Sequence, residues 1–326
     1  MILGEPSTVL GALLLALLAD WLIGDPPWLY RRLPHPVVLI GRVTGRLEAI
    51  WLDENAAPAT LHRRGALATL AVTAGAAAIG WALQILCLRL PFGWIWLGLL
   101  ISALLAARGL ARHVRAVADG LDRSLSEGRL AVAHIVGRDP GSLDEHAVAR
   151  AAIESTAENF SDGVAAPLFW GALLGLPGML AYKAINTMDS MIGHRTPRFL
   201  HFGRFAARLD DLVNWPAARL SAMLILTAAV LLPRTYAGAG WRAVRRDARR
   251  HRSPNAGWPE AAMAGALGLG LAGPRRYGGQ LIEDAWMGDG RAAATSADVR
   301  RALRVLDLTC GLAGALLLAG LLTSGF

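Results

Sequence analysis

Between Gly65 and Leu88 the chain reads GALATLAVTAGAAAIGWALQILCL, 24 residues without a charge. A helix needs about 20 apolar residues to cross bilayer hydrocarbon, and helices are one of only two structures that satisfy their backbone polar groups there. Similar runs occur at Val9–Gly24, with Asp20 near its end, and at Pro91–Ala107. Two more are Pro216–Pro233, with Arg219 near its entry, and Leu306–Phe326, with Asp307 near its start. Val164–Leu180 is broken by Pro167, Pro177 and several glycines. It either crosses or forms a re-entrant segment lining a cavity. Only 18% of residues are charged, against roughly 25% in an average soluble domain. The expected fold is all-α. One polytopic membrane domain over residues 1–326 would hold five or six hydrophobic segments, near 9–24, 65–88, 91–107, 164–182, 216–233 and 306–326. Amphipathic and polar helical loops would join them. The first segment has no basic flank and no small-residue cleavage site before DWLIGDPPW, so it is expected to be a retained anchor.

The net charge of +8 invites a nucleic-acid reading. The distribution argues against it. Arginines cluster between apolar runs, six in 25–64 and thirteen in 234–304, where the positive-inside rule places them. Loops 25–64 and 108–162 are then cytoplasmic. The sides taken by 183–214 and 234–304 depend on whether Val164–Leu180 crosses. Pro216 fits the start of a membrane helix. Cys87 and Cys310 lie in apolar segments without metal or redox spacing and read as packing residues.

Three polar constellations stand out. In IESTAENFSDG, Glu154, Glu158 and Asp162 step by four, a spacing that shares one helical face, with Asn159 beside them. Clustered carboxylates suit a hard cation such as Mg²⁺, and equally a solvated helix face paired with Arg150. In AYKAINTMDSMIGHRTPR, Asn186, Asp189 and Ser190 share a face, flanked by Lys183, His194, Arg195 and Arg198. Such donors around a carboxylate suit a phosphate-bearing ligand with a metal. In ARLDDLVNWPAAR, Asp210 and Asp211 diverge by about 100° around a helix, and Asn214 can neighbour either. Asp25, His35 and Arg42 form a further polar loop among prolines, and Asn255 lies in a Ser-Pro-Asn turn. GLGLAG at 268–273 matches a dinucleotide pattern in letters only, since no strand precedes it. Gly171 and Gly175 form a GxxxG that reads as helix packing. Walker A, GxSxG and HExxH patterns do not occur.

GDPPWLYRRLPHPVVLIGR, IESTAENFSDGVAAPLFW, AYKAINTMDSMIGHR, FGRFAARLDDLVNWPAARL and SPNAGWPEAAMAGALG, in that order, resemble the signature segments of the CobD/CbiB family of cobalamin biosynthesis. GLAGPRRYGG fits more loosely, with Ala272 where the family suggests Gly. The resemblance implies an adenosylcobinamide-phosphate synthase of the bacterial inner membrane, multi-pass, with a cytoplasmic site. Such an enzyme joins (R)-1-amino-2-propanol or its O-phosphate to a propionate of adenosylcobyric acid, consuming ATP with Mg²⁺. Other membrane enzymes of late cobalamin assembly are implied partners. On that reading Glu158, Asp162 and Asp189, with Glu154, would hold the metal, and Asn159 and Asn186 would be neutral partners. Asp210 or Asp211 would be metal ligand or base. Arg195 and Arg208 would take phosphate or the corrin periphery. Asp25, His35, Lys183, Ser190, His194, Asn214 and Asn255 complete the expected binding set. Rival readings are a non-catalytic membrane sensor or scaffold relative and a metal-dependent lipid phosphotransferase, hinted at by Ser161-Asp162-Gly163.

Overall fold

The computed structural model describes residues 5–136, 140–277 and 280–324. Gly278 and Gly279 of the loosely matching segment, and the last two residues of the final apolar run, lie outside the described residues. Helices dominate, as expected. Among the described residues five are long and apolar enough to cross a membrane: Pro58–Leu88, Gly93–Arg123, Glu145–Ile192, Arg204–Leu231 and Ser296–Ser324. Pro6–Leu22 is apolar but shorter. Among the described residues four short strands form two antiparallel ribbons, Leu271–Ala272 with Trp286–Met287 and Arg275–Tyr277 with Gln280–Ile282. The chain divides into two compact units.

The first unit comprises Met1–Ala106, Ala166–Asn214 and Leu316–Phe326. It holds α1 (Pro6–Leu22), α2 (Pro27–Tyr30), α3 (Pro36–Trp51), α4 (Pro58–Leu88) and α5 (Gly93–Ser102). It also holds α9 (Ala166–Ile192) and the opening of α10 (Arg204–Leu231). Proline stands in the first turn of α1, α2, α3 and α4, where its missing N–H is no loss. α4 packs closely on α9. At Gly80 an added Cβ would lie 2.8 Å from the Leu176 carbonyl oxygen, so only glycine permits this approach. α9 is interrupted at Gly175, whose φ of 68° and ψ of −159° leave the helical region. The Gln84 side-chain carbonyl accepts the freed N–H of Leu176 at 2.8 Å, and Pro177 follows without an N–H to satisfy. Gly171, the other half of the GxxxG, faces Leu13 of α1.

The second unit comprises Ala107–Ala165 and Trp215–Ala315. It contains α6 (Ala107–Arg123), α7 (Leu125–Val132), α8 (Glu145–Phe160), α11 (Ala237–Asp247), α12 (Gly257–Leu267) and most of α13 (Ser296–Ser324). α6 is the expected amphipathic helix, burying Leu110, Val114, Val117 and Leu121. Two expectations are corrected here. Pro216 lies inside α10 instead of starting a helix, because the polar turns from Arg204 onward are already helical. The stretch 234–304, expected to be a polar loop, holds α12, ten of whose eleven residues are buried. At 11 residues α12 is a core helix and not a span. Asp247, 1% exposed, ties this unit together. It accepts the Gly288 N–H at 2.9 Å and two guanidinium N–H bonds from Arg246. GLGLAG ends α12 at Gly268, with φ 68°, and runs into a strand, which excludes the dinucleotide reading on its own geometry. Cys87 and Cys310 are both buried.

Candidate functional site

In the first unit two of the three constellations converge. The end of α9 supplies Tyr182, Asn186 and Asp189, and the start of α10 supplies Asp210, Asp211 and Asn214. The i,i+4 spacing puts Tyr182 and Asn186 on one face, and Asp210 and Asn214 on another. A chain of hydrogen bonds joins these faces. The Tyr182 hydroxyl donates to Asn214 Oδ1 at 2.9 Å, and Asn214 Nδ2 donates to Asp210 Oδ2 at 2.9 Å. Asn186 Nδ2 donates to Asp210 Oδ1 at 3.3 Å. Asn214 therefore bonds Asp210. Asp210 is 8% exposed and Asn214 2%. Each oxygen of Asp210 already accepts an amide, which is how a buried carboxylate is accommodated.

Asp189 and Asp211 are half-buried and lie within electrostatic range of each other, and both act on Asp210. Their counter-charges come from the connection after α9: His194 acts on Asp189, and Arg195 on Asp211. That connection closes over the carboxylates at Gly193, where a Cβ would collide with Asp189 Oδ1 and with its carbonyl oxygen. Arg198 fastens the connection to Glu48 at 3.0 Å and Glu54 at 2.6 Å. Lys183 is buried, while His194, Arg195 and Arg208 are exposed. The Ser190 hydroxyl bonds back to the Asn186 carbonyl oxygen.

Asp25 and His35 also come together, at 3.7 Å, with the Tyr30 ring 4.8 Å from the imidazole. His35 caps α3 by accepting the Val37 N–H on Nδ1, which directs Nε2 to Asp25. Burial and the adjacent Asp25 raise the Tyr30 phenol above its ordinary value. With both ring nitrogens engaged, His35 braces the loop.

The acidic helix belongs to the second unit, so the four expected metal ligands divide between units: Asp189 in the first, Glu154, Glu158 and Asp162 in the second. Glu154 is buried and accepts the Ala272 N–H at 2.8 Å, whereas Glu158 and Asn159 are exposed. Asp162 sits in a π-helical turn, Ser161–Ala165, which interrupts the α-helical spacing. Among the described residues no group of three or more His, Cys, Asp or Glu is arranged to hold a metal ion. Asn159 donates to the Ser155 carbonyl oxygen. Asn255 accepts from Arg219 at 2.8 Å, and that guanidinium lies 4.5 and 4.4 Å from the Trp215 and Trp258 rings.

Sequence reasoning missed Tyr182, Gln84 and Arg219 with its tryptophans. Only Tyr182 left a signal, four residues before Asn186.

The profile of the CobD/CbiB protein family matches residues 13–306. A cobalamin biosynthesis protein CobD from a Sinorhizobium species is 50% identical over 96% of this chain and 98% of its own length. The protein of that name from Rhizobium meliloti is 51% identical over 93% and 94%. That from Rhodobacter capsulatus is 46% identical over 91% and 95%. No solved structure matches the chain. With a family match across most of its length and relatives at about half identity, this helical, multi-pass chain belongs to the CobD/CbiB family of cobalamin biosynthesis proteins.

Proposed function

We propose that the chain is an ATP-dependent amide ligase. It would join aminopropanol or its O-phosphate to a propionate of adenosylcobyric acid. The observation that carries this reading is the convergence of two family segments on Asp210. A buried carboxylate held by two amides, with two further carboxylates and flanking cations, is a costly arrangement for a scaffold to keep.

A carboxylate does not acylate an amine unaided, because oxide is a poor leaving group. In the proposed route a propionate oxygen attacks the γ-phosphorus of ATP, giving an acyl phosphate and ADP. The amine nitrogen then attacks the acyl carbon, the C–O bond to phosphate breaks, and inorganic phosphate leaves with the nitrogen's proton taken by a base. Arg195 and Arg208 are exposed cations suited to phosphate oxygens. Asp211 is suited to bind the ammonium and to take its proton. Asp210 acts as a positioning residue that orients Asn186 and Asn214. Mg²⁺ arriving with nucleotide phosphates needs only one or two protein carboxylates, and Asp189 fits that demand. When bound, the ion would offset phosphate charge.

The test is ATP turnover by the detergent-purified full chain, leaving out Mg²⁺, adenosylcobyric acid and aminopropanol phosphate in turn. The ligase reading requires ADP and an amidated corrinoid only with the full set. A well-folded sample that yields no corrinoid product in any combination would leave the scaffold reading standing.

A further inference from the structure

The first unit also carries an apolar cavity of about 350 Å³ that amide formation does not use. Small-molecule sites span roughly 300–1,000 Å³, so this one holds a slender ligand. Its walls include Leu39 and Val43 of α3, Ala71, Gly75 and Ile79 of α4, and Leu176 of α9, and every lining residue is apolar. It opens outward: Leu39, Val43 and Ile79 are 47%, 45% and 59% exposed.

Two observations identify the occupant. Gly75 stands mid-way along α4, a poor place for glycine in a helix, yet a Cβ there would meet nothing within 4 Å. No neighbour in the protein requires the missing side chain, in contrast to Gly80 on the same helix. The space it leaves belongs to the cavity. Arg42 and Arg46 are exposed on α3, three residues beyond Leu39 and Val43 and hence beside them on the helix surface. Neither makes an ion pair or side-chain hydrogen bond among the described residues, whereas Glu48, two residues beyond Arg46, is held by Arg198.

We propose that this cavity takes an acyl chain of an anionic phospholipid, with its phosphate on Arg42 and Arg46. A cavity lined only by apolar residues is a poor site for a corrinoid, whose rim is amides and carboxylates that need partners. A bilayer lipid supplies both a hydrocarbon chain at the right depth and an anion at the interface, where long basic side chains reach out of apolar surroundings.

The experiment is native mass spectrometry of the full chain released from nanodiscs of phosphatidylcholine mixed with phosphatidylglycerol. Wild type is expected to retain phosphatidylglycerol in preference to phosphatidylcholine. Gly75→Leu and Ala71→Phe, which fill the cavity, should lower retention of either lipid by about tenfold or more, that is by about 1.4 kcal/mol. Arg42→Ala with Arg46→Ala should still retain lipid but lose the preference. Equal retention of the two lipids by wild type overturns the proposal. So does unchanged retention in folded cavity-filling variants, or a lipid-free dimer seated there. The arginine variant alters only exposed side chains, so it gives a reading even where a filled cavity does not fold.

Discussion

Asn214 donates to Asp210 at 2.9 Å while its own carbonyl takes the Tyr182 hydroxyl, so one buried amide links a phenol to a carboxylate. Asn214 thereby controls where Asp210 points. Asn214→Leu leaves both partners short of a bond and should destabilise by about 1–3 kcal/mol. It should also cut kcat by more than its effect on KM, through misplacement of Asp210. Tyr182→Phe removes only the outer bond and should cost about 0.5–1.5 kcal/mol with activity largely kept. Thermal melts and steady-state turnover on the two variants check this. Equal loss of activity in both would mean that the phenol, and not the amide, sets the geometry.

Divalent-ion dependence separates the two acidic regions. Asp189→Ala should raise the Mg²⁺ concentration for half-maximal turnover by about tenfold or more, since one of few carboxylates facing the ion is gone. Asp162→Ala, in the π turn, tests whether the acidic helix takes part. A normal rate and unchanged Mg²⁺ dependence in both variants would remove carboxylate-bound metal from the proposed route.

How far these features could be read in advance follows from what each depends on. The apolar runs were legible because crossing a bilayer demands about 20 residues of one kind. Asn186 with Asp189, and Asp210 with Asn214, were legible because helical spacing is local. The bond from the Ala272 N–H to Glu154 was not legible, because the two residues lie 118 positions apart. The π turn at Ser161–Ala165 carries no residue pattern that announces an extra residue per turn. Pro216 was misplaced because a first-turn and an interior proline look alike until the preceding polar turns are known to be helical. α12 did carry a signal, an apolar run too short to span, but the surrounding arginines obscured it.

The break in α9 makes opposite predictions for three glycines and one glutamine. Gly175→Ala places a side chain at φ 68° and 2.4 Å from Gln84 Oε1, so it should lower the melting temperature. Gln84→Leu strands the Leu176 N–H and should cost about 1–3 kcal/mol. Gly80→Ala forces α4 from α9 and should destabilise as well. Gly75→Ala meets nothing and should be neutral or stabilise by up to about 1 kcal/mol. A melt series in one detergent ranks them. Similar losses for Gly75→Ala and Gly80→Ala would show that helix packing does not distinguish these positions.

Ala272 occupies the left-handed region, with φ 56°, where a Cβ costs roughly 1–2 kcal/mol. Its N–H, fixed in that conformation, is the donor to Glu154. Ala272→Gly should relieve the strain and hold or raise stability, offset in part by the freer unfolded chain. Glu154→Gln keeps an acceptor oxygen for the same N–H, so it should fold normally and retain activity. Glu154→Leu removes the acceptor and should lose about 1–3 kcal/mol. The decisive comparison is between the glutamine variant's melt and its turnover. A normal melt with abolished turnover would mean that the negative charge of Glu154 is used in the reaction, and the carboxylate would then have to be counted among the chemical groups as well as the structural ones.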